Sequence, residues 1–202
     1  MRYRADPVAK PPRRPLRHAL VLGGSVVGLL AARVLSDHFE HVTLIERDQL
    51  ADRPEPRKGV PQGNHLHALL ARGRMIAEAL LPGLCDELLA AGAMRINAGR
   101  DLAWHQSGNW RVPHDSDLFF LSMSRPLLES TIAKRVRARP NVTVLDGARV
   151  IGLQAEGDSI TGVRLARPAG CGQTSEIEAD LVVDSLDDLP LSDVLRSITA
   201  VR

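Results

Sequence analysis

Five residues near the N-terminus have the types and spacing to hold a diphosphate and a sugar: Gly23, Gly24, Ser25, Gly28 and Glu46. A glycine leaving a strand accepts the positive φ that a tight bend needs, which a Cβ would oppose. Gly24 and Ser25 keep the bend small, so backbone N–H groups there and at Val26 can face a diphosphate. Gly28, one turn further on, lets a helix pack close to the strands. The helix N-terminus adds unpaired N–H donors and about half a positive charge. Glu46 stands at the distance where a carboxylate accepts hydrogen bonds from a ribose diol, and its charge opposes a ribose 2′-phosphate. The string G-G-S-V-V-G departs from G-x-G-x-x-G only at Ser25, a side chain small enough to keep the close approach.

The elements that must carry these residues are legible around them. Ala19–Leu22 is a short apolar run ending on the glycines. Val27, Leu30, Ala31, Val34 and Leu35 recur with the period of one helix face. Val42–Ile45 is a second apolar run ending on Glu46. Strand, glycine turn, helix, strand and acid form a βαβ unit that binds a dinucleotide.

Composition bounds the rest. With 202 residues and 44% apolar side chains the chain can bury one core. The formal charge of +2 is small, and much of the basic excess lies in residues 1–17, MRYRADPVAKPPRRPLR. That Arg- and Pro-rich segment lacks apolar periodicity and reads as a disordered arm. Little aromatic interleaving accompanies its charge, so nucleic acid is not an expected partner. Basic residues followed by an apolar run also resemble a secretory signal, but the Gly23-Gly24 break and the periodic continuation oppose that. No apolar stretch reaches the ~20 residues of a membrane span. Two distant cysteines, Cys85 and Cys171, indicate neither a disulfide framework nor a zinc site. The expectation is a reduced, cytoplasmic protein.

Beyond Glu46, Arg47 can lie over an adenine, pair with phosphate, or be a solvated loop arginine. Asp48–Asn64 carries three prolines and two glycines, Pro54, Pro56, Pro61, Gly59 and Gly63, and reads as a long loop of the kind that carries function. A helix is expected from about Leu66, with Leu69, Leu70, Gly73, Ala77, Leu80 and Leu81 on one stripe, ended by Pro82-Gly83. A shorter helix covers Leu84–Ala91. His65 and His67 are two apart, which on a helix places the rings on nearly opposite faces. Without an acid or thiol at ligand spacing, they read as a cofactor-facing or first-turn pair rather than a metal site.

At this point HALVLGGSVVGLLAARVL, VTLIERD and RKGVPQGNHLHALLARG together resemble the N-terminal half of FAD-dependent monooxygenases of the aromatic hydroxylase and epoxidase type. The resemblance implies an α/β, Rossmann-like FAD-binding domain with a parallel sheet and a β-hairpin or meander insertion. It places the FAD diphosphate on Gly23 and Gly28 and the adenosine ribose on Glu46, and it brings Arg57 and Gln62 near the flavin ring. NAD(P)H as electron donor, oxygen as co-substrate and hydroxylation or epoxidation of a small organic substrate follow from the same likeness. No side chain is assigned a catalytic acid or base role.

Further along, Asp101–Pro113 alternates around Gly108-Asn109 as a hairpin, with Trp104 and Trp110 as large packing residues. In the resembling family such strands, here 99–124, begin a sheet over flavin and substrate. Leu118–Leu121 is a strand leading into a helix that Pro126 opens and that buries Leu128, Ile132 and Val136. Arg125 begins that helix, where a cation works against the dipole, so an external anionic partner is expected; the resemblance makes that partner the FAD phosphate or ribose. Val142–Leu145 and Leu181–Asp184 are strands, and Arg149–Ala155 and Ser159–Ala166 form a hairpin around Glu156-Gly157-Asp158. The family places a backbone contact to adenine at Val150.

The likeness covers about residues 18–184. The residues after Asp184 lack the family's continuation, so the expectation is a truncated FAD-binding domain followed by an unrelated tail, 185–202. Its exposed half-domain would then self-associate or take a partner polypeptide. Two other readings share these residues: an FAD-binding fragment without turnover, and the NAD-binding domain of a dehydrogenase. The R-K-G-V-P-Q loop and Arg125 oppose the latter.

Overall fold

A computed structural model describes residues 16–50, 53–56, 65–166 and 174–186. Strand β1 (Leu16–Leu22) runs into helix α1 (Val26–Leu35) and returns as β2 (Phe39–Glu46). Leu16 and Arg17 therefore belong to β1, Leu16 pairing with Phe39, and not to an N-terminal arm. Two further strands, β8 (Val142–Asp146) and β12 (Leu181–Asp184), complete a four-stranded parallel sheet in the order β12-β1-β2-β8.

Residues 19–22 are fully buried, as expected of a parallel strand covered on both faces. The period of two splits them between separate cores. Ala19 and Val21 join Val42 and Leu44 under α1 and the later helix α4 (Arg125–Arg137). Leu20 and Leu22 join Ile45, Val163 and Leu165 under the other face's cover. That cover is a meander of β9 (Arg149–Glu156), β10 (Ser159–Ala166) and β11 (Thr174–Glu178). The parallel sheet and this meander match the expected fold class.

The phase of α1 differs from the sequence reading. Gly28, Leu29 and Ala32 are the buried residues, whereas Val27 is 66% exposed and Val34 39%. The segment VVGLLAARVL is apolar on nearly every side, so periodicity could not choose the face. Contact with the sheet at Gly28 chooses it instead.

A second correction concerns Leu66–Leu69, which is a strand, β3, and not the start of a helix. It pairs antiparallel with β7 (Phe119–Ser124), whose other side holds β4 (Met94–Asn97). The helix α2 (Ala71–Leu80) starts only after Leu70. Leucine suits either state, and ladder hydrogen bonds to β7 outweigh local preference. Helix α3 (Leu84–Ala90) follows, close to expectation.

The tryptophan hairpin is smaller and more open than expected. Strands β5 (His105–Gln106) and β6 (Asn109–Trp110) form a separate two-stranded ladder that turns at Ser107-Gly108, one residue earlier than read, both with positive φ. Trp104 is 48% exposed and Trp110 68%, so neither is a core aromatic.

Candidate functional site

The bend between β1 and α1 is built from backbone. Gly23 has φ +97° and donates its N–H to Ile45 O at 2.8 Å, pinning the bend to the end of β2. A Cβ on Gly28 would lie 1.8 Å from Gly23 O, so no other residue fits while the helix crosses the turn at this height. Ser25 is the N-cap residue, with extended backbone, and its carbonyl accepts from Leu29 N at 2.9 Å. Its side chain makes no capping bond, which explains why a small residue suffices there. The amides that open α1, at Val26 and Val27, have no intrahelical acceptor.

Glu46 points into this bend. It is only 7% exposed, and its Oε2 accepts from Gly24 N at 2.6 Å while Oε1 accepts from Asp48 N at 2.9 Å. The Gly24 amide is therefore turned toward Glu46, and the donors suited to a diphosphate are those that open the helix. A Cβ on Gly24 would come to 3.0 Å from the same oxygen, so any larger residue there would push the acid aside by a few tenths of an ångström. Arg47, the next residue, is exposed.

Ser185, which the sequence reading put in an unrelated tail, closes the bend from the β12 side. Its Oγ donates to Leu22 O at 2.7 Å and its N–H to the same carbonyl at 2.9 Å. A Cβ on Gly23 would meet that hydroxyl at 2.8 Å. Nothing in the sequence pointed to Ser185, because its contact spans 163 positions.

Arg125 occupies a different setting from the one expected. It opens α4 after Ser124, whose side chain accepts from Leu127 N at 3.3 Å, and Pro126 occupies the first turn. The conflict with the helix dipole is answered within the chain: Arg125 Nε donates to Glu129 Oε1 at 2.6 Å, and Nη1 donates to His67 Nε2 at 2.9 Å. Both partners of the ion pair are largely buried, at 15% and 8% side-chain exposure. The dipole conflict therefore does not by itself call for an external anion. Burial, and next the Arg125 charge, lower the His67 pKa from its ordinary 6.5, with Glu129 opposing. Glu129 sits one helical turn from Arg125, a spacing visible in the sequence; His67, already a candidate from the histidine pair, reaches Arg125 from a strand 58 residues away, a pairing with no sequence signal.

An open cleft lies between the segment after β2 and the first turns of α4, lined by Leu50, Arg53, Glu55, Pro126, Glu129 and Ser130 among others. Val150 lies at the start of β9, half-buried against the second core, and pairs with Leu165. The structure thus unites Gly23, Gly24, Ser25, Val26, Gly28 and Glu46 at one bend, and places Arg125 in a separate cluster with His67 and Glu129. Arg57 and Gln62 lie outside the described residues. Among the described residues no three His, Cys, Asp or Glu side chains gather as a metal site, and no helix is long and apolar enough to cross a membrane.

The donor set fits a dinucleotide: a glycine bend without room for Cβ atoms, a helix N-terminus, and a buried carboxylate at the end of the next strand. No family model matches the chain. Protein Rv3254 of Mycobacterium tuberculosis is 38% identical over 183 residues, a match covering 85% of this chain and 38% of that protein. Among solved structures, the myxobacterial chondrochloren halogenase CndH, a variant of FAD-dependent halogenases, superposes with a TM-score of 0.62 at 24% identity, over 84% of this chain and 37% of its own. The p-nitrophenol 4-monooxygenase PnpA of Pseudomonas putida DLL-E4 gives 0.61 at 18%, over 84% and 40%. PqsL of Pseudomonas aeruginosa, described as a probable FAD-dependent monooxygenase, gives 0.57 at 18%, over 83% and 40%. The chain has the fold of the FAD-dependent monooxygenases and halogenases, and spans about 40% of the length of those enzymes.

Proposed function

We propose that this chain binds FAD and forms the nucleotide-holding part of a flavin monooxygenase that hydroxylates or epoxidises a small organic molecule, with NAD(P)H and oxygen as co-substrates. The observation that carries the reading is the Glu46 carboxylate, buried in the glycine bend and fixed by the amides of Gly24 and Asp48. A buried acid at the end of the second strand is suited to a ribose diol, and the bend beside it to the adjoining diphosphate.

Bound FAD would supply the redox chemistry, accepting electrons from NAD(P)H and passing them to oxygen. The chain's own work is binding and orientation. Gly23 and Gly28 hold the bend open to a diphosphate, and the amides of Ser25, Val26 and Val27 donate to it. Glu46 accepts from the ribose hydroxyls. Arg125 offers a cation toward the phosphate or ribose region, and Arg47 and Val150 border the adenine. Arg57 and Gln62 are assigned to the flavin ring on the resemblance of their loop.

The test is the visible spectrum of the purified chain. A yellow protein with flavin absorbance that bleaches on adding NAD(P)H supports the enzyme. Flavin absorbance without bleaching supports a binding unit that needs further polypeptide, and a colourless chain that binds NAD instead overturns the reading.

One feature favours that second outcome. The register of the β3-β7-β4 sheet puts Leu66, Met94, Ile96 and Phe120 on one face, where Leu66 is 80% and Met94 59% exposed. Exposed leucine and methionine side chains on this face are suited to a cover, by further polypeptide or by a second copy. Light scattering on the purified chain reads which.

A further inference from the structure

The His67–Arg125–Glu129 cluster carries an inference beyond a plain cofactor contact, resting on the FAD reading above. An arginine has five N–H donors and no acceptor. Arg125 commits Nε to Glu129 and one Nη1 hydrogen to His67, and Nη2 takes part in neither contact. Because arginine can only donate, His67 Nε2 must present its lone pair, so the ring is neutral with its proton on Nδ1. Glu129 cancels charge and sets the direction of the guanidinium plane. His67, from a strand 58 residues away, fixes its rotation.

We propose that His67 is a positioning residue for Arg125: its neutral ring holds one arm of the guanidinium so that the other arm serves an anionic ligand, the FAD diphosphate, and its protonation releases that hold. A protonated ring has a hydrogen where Arg125 now donates, and places two cations in contact. The charged groups that bear on His67 among the described residues are Arg125 and Glu129, both from α4; across the ladder β7 presents Met123. Burial and the Arg125 charge already disfavour the protonated ring, and Glu129 opposes them with a smaller effect.

The experiment has two arms on the full chain. In the first, histidine ring nitrogens are followed by NMR against pH without FAD, with H67Q assigning the signal. The expected result is a neutral Nδ1–H ring titrating below the ordinary value of 6.5, moved upward in R125Q. In the second, FAD affinity is measured by fluorescence quenching between about pH 8 and about pH 5, a range that spans histidine titration. Wild-type affinity should fall about tenfold toward acid, the loss of one charge-assisted hydrogen bond. H67Q, whose carbonyl still accepts from Arg125 but does not titrate, should bind more tightly than H67A and show a flat profile.

A His67 titrating at its ordinary value, or an H67Q profile as steep as wild type, would overturn the proposal. A lowered titration reversed by R125Q, with no FAD bound at any pH, would sink the FAD reading and the ligand half of this proposal while supporting the contact.

Discussion

The glycine bend and the arginine cluster set hydrogen-bond donors in two different ways. At the bend the donors are backbone amides, set by φ at Gly23, the missing Cβ at Gly28 and one buried acid that seals Gly24. The glycines and the acid fall between positions 23 and 46, so most of the constraint is local, and Ser185 closes the bend from far along the chain. In the arginine cluster the donor is a long side chain. Its direction depends on Glu129 one turn away and on His67 from a strand in a different sheet. A backbone site is rigid because steric exclusion defines it. A side-chain site is held by two hydrogen bonds, one of which a proton can remove.

If that contrast is right, the largest effect comes from crowding the bend. Gly28→Val would drive a Cβ to 1.8 Å from Gly23 O, and the expected cost is about 3 kcal/mol or more, seen as loss of the cooperative thermal transition. Leu29→Ala, removing a fully buried side chain beside it, should cost about 2–5 kcal/mol in denaturant unfolding. A value near zero would mean that α1 buries another face. Glu46→Gln keeps the shape but weakens two amide contacts to a carboxylate, for an expected loss of about 1.5–3 kcal/mol.

The arginine cluster should respond to pH through His67. His67 has a folded pKa below its unfolded value, so the unfolded chain binds the extra proton and stability falls as pH drops below about 6.5. In Arg125→Gln one of the two causes of that lowering is gone, and the acid-side loss should shrink. The smallest effect belongs to Val27→Ser on the exposed side of α1, within about 0.5 kcal/mol of wild type. A larger loss would return Val27 to the buried face that periodicity proposed.

What the sequence revealed follows the same division. The βαβ unit, the bend and Glu46 were legible because strand, glycine and acid each act on near neighbours. The strands at Val142 and Leu181 and the hairpin around Gly157 were readable from their own apolar runs and turn residues, though the partners of those two strands lie far away in the chain. The phase of α1 was not, since an all-apolar helix has no periodic preference and only the approach at Gly28 decides it. Leu66–Leu69 was mistaken for helix because its partner, β7, lies more than fifty residues on. Trp104 and Trp110 were assigned to packing on size alone, yet their two-stranded ladder leaves them in solvent. His67 stands out in the sequence as one of a histidine pair, but its pairing with Arg125 does not, and Ser185 gives no signal at all, because both contacts are long-range side-chain contacts that no local pattern encodes.

The most direct trial of the account is a titration of FAD into the purified chain beside its Glu46→Gln variant, followed by flavin fluorescence. Saturable one-to-one binding to the wild type, weakened at least about tenfold in the variant by loss of a charge-assisted hydrogen bond, is the predicted result. Equal affinity in the two proteins, or no binding to either, would contradict the claim that this bend and its buried acid hold the cofactor.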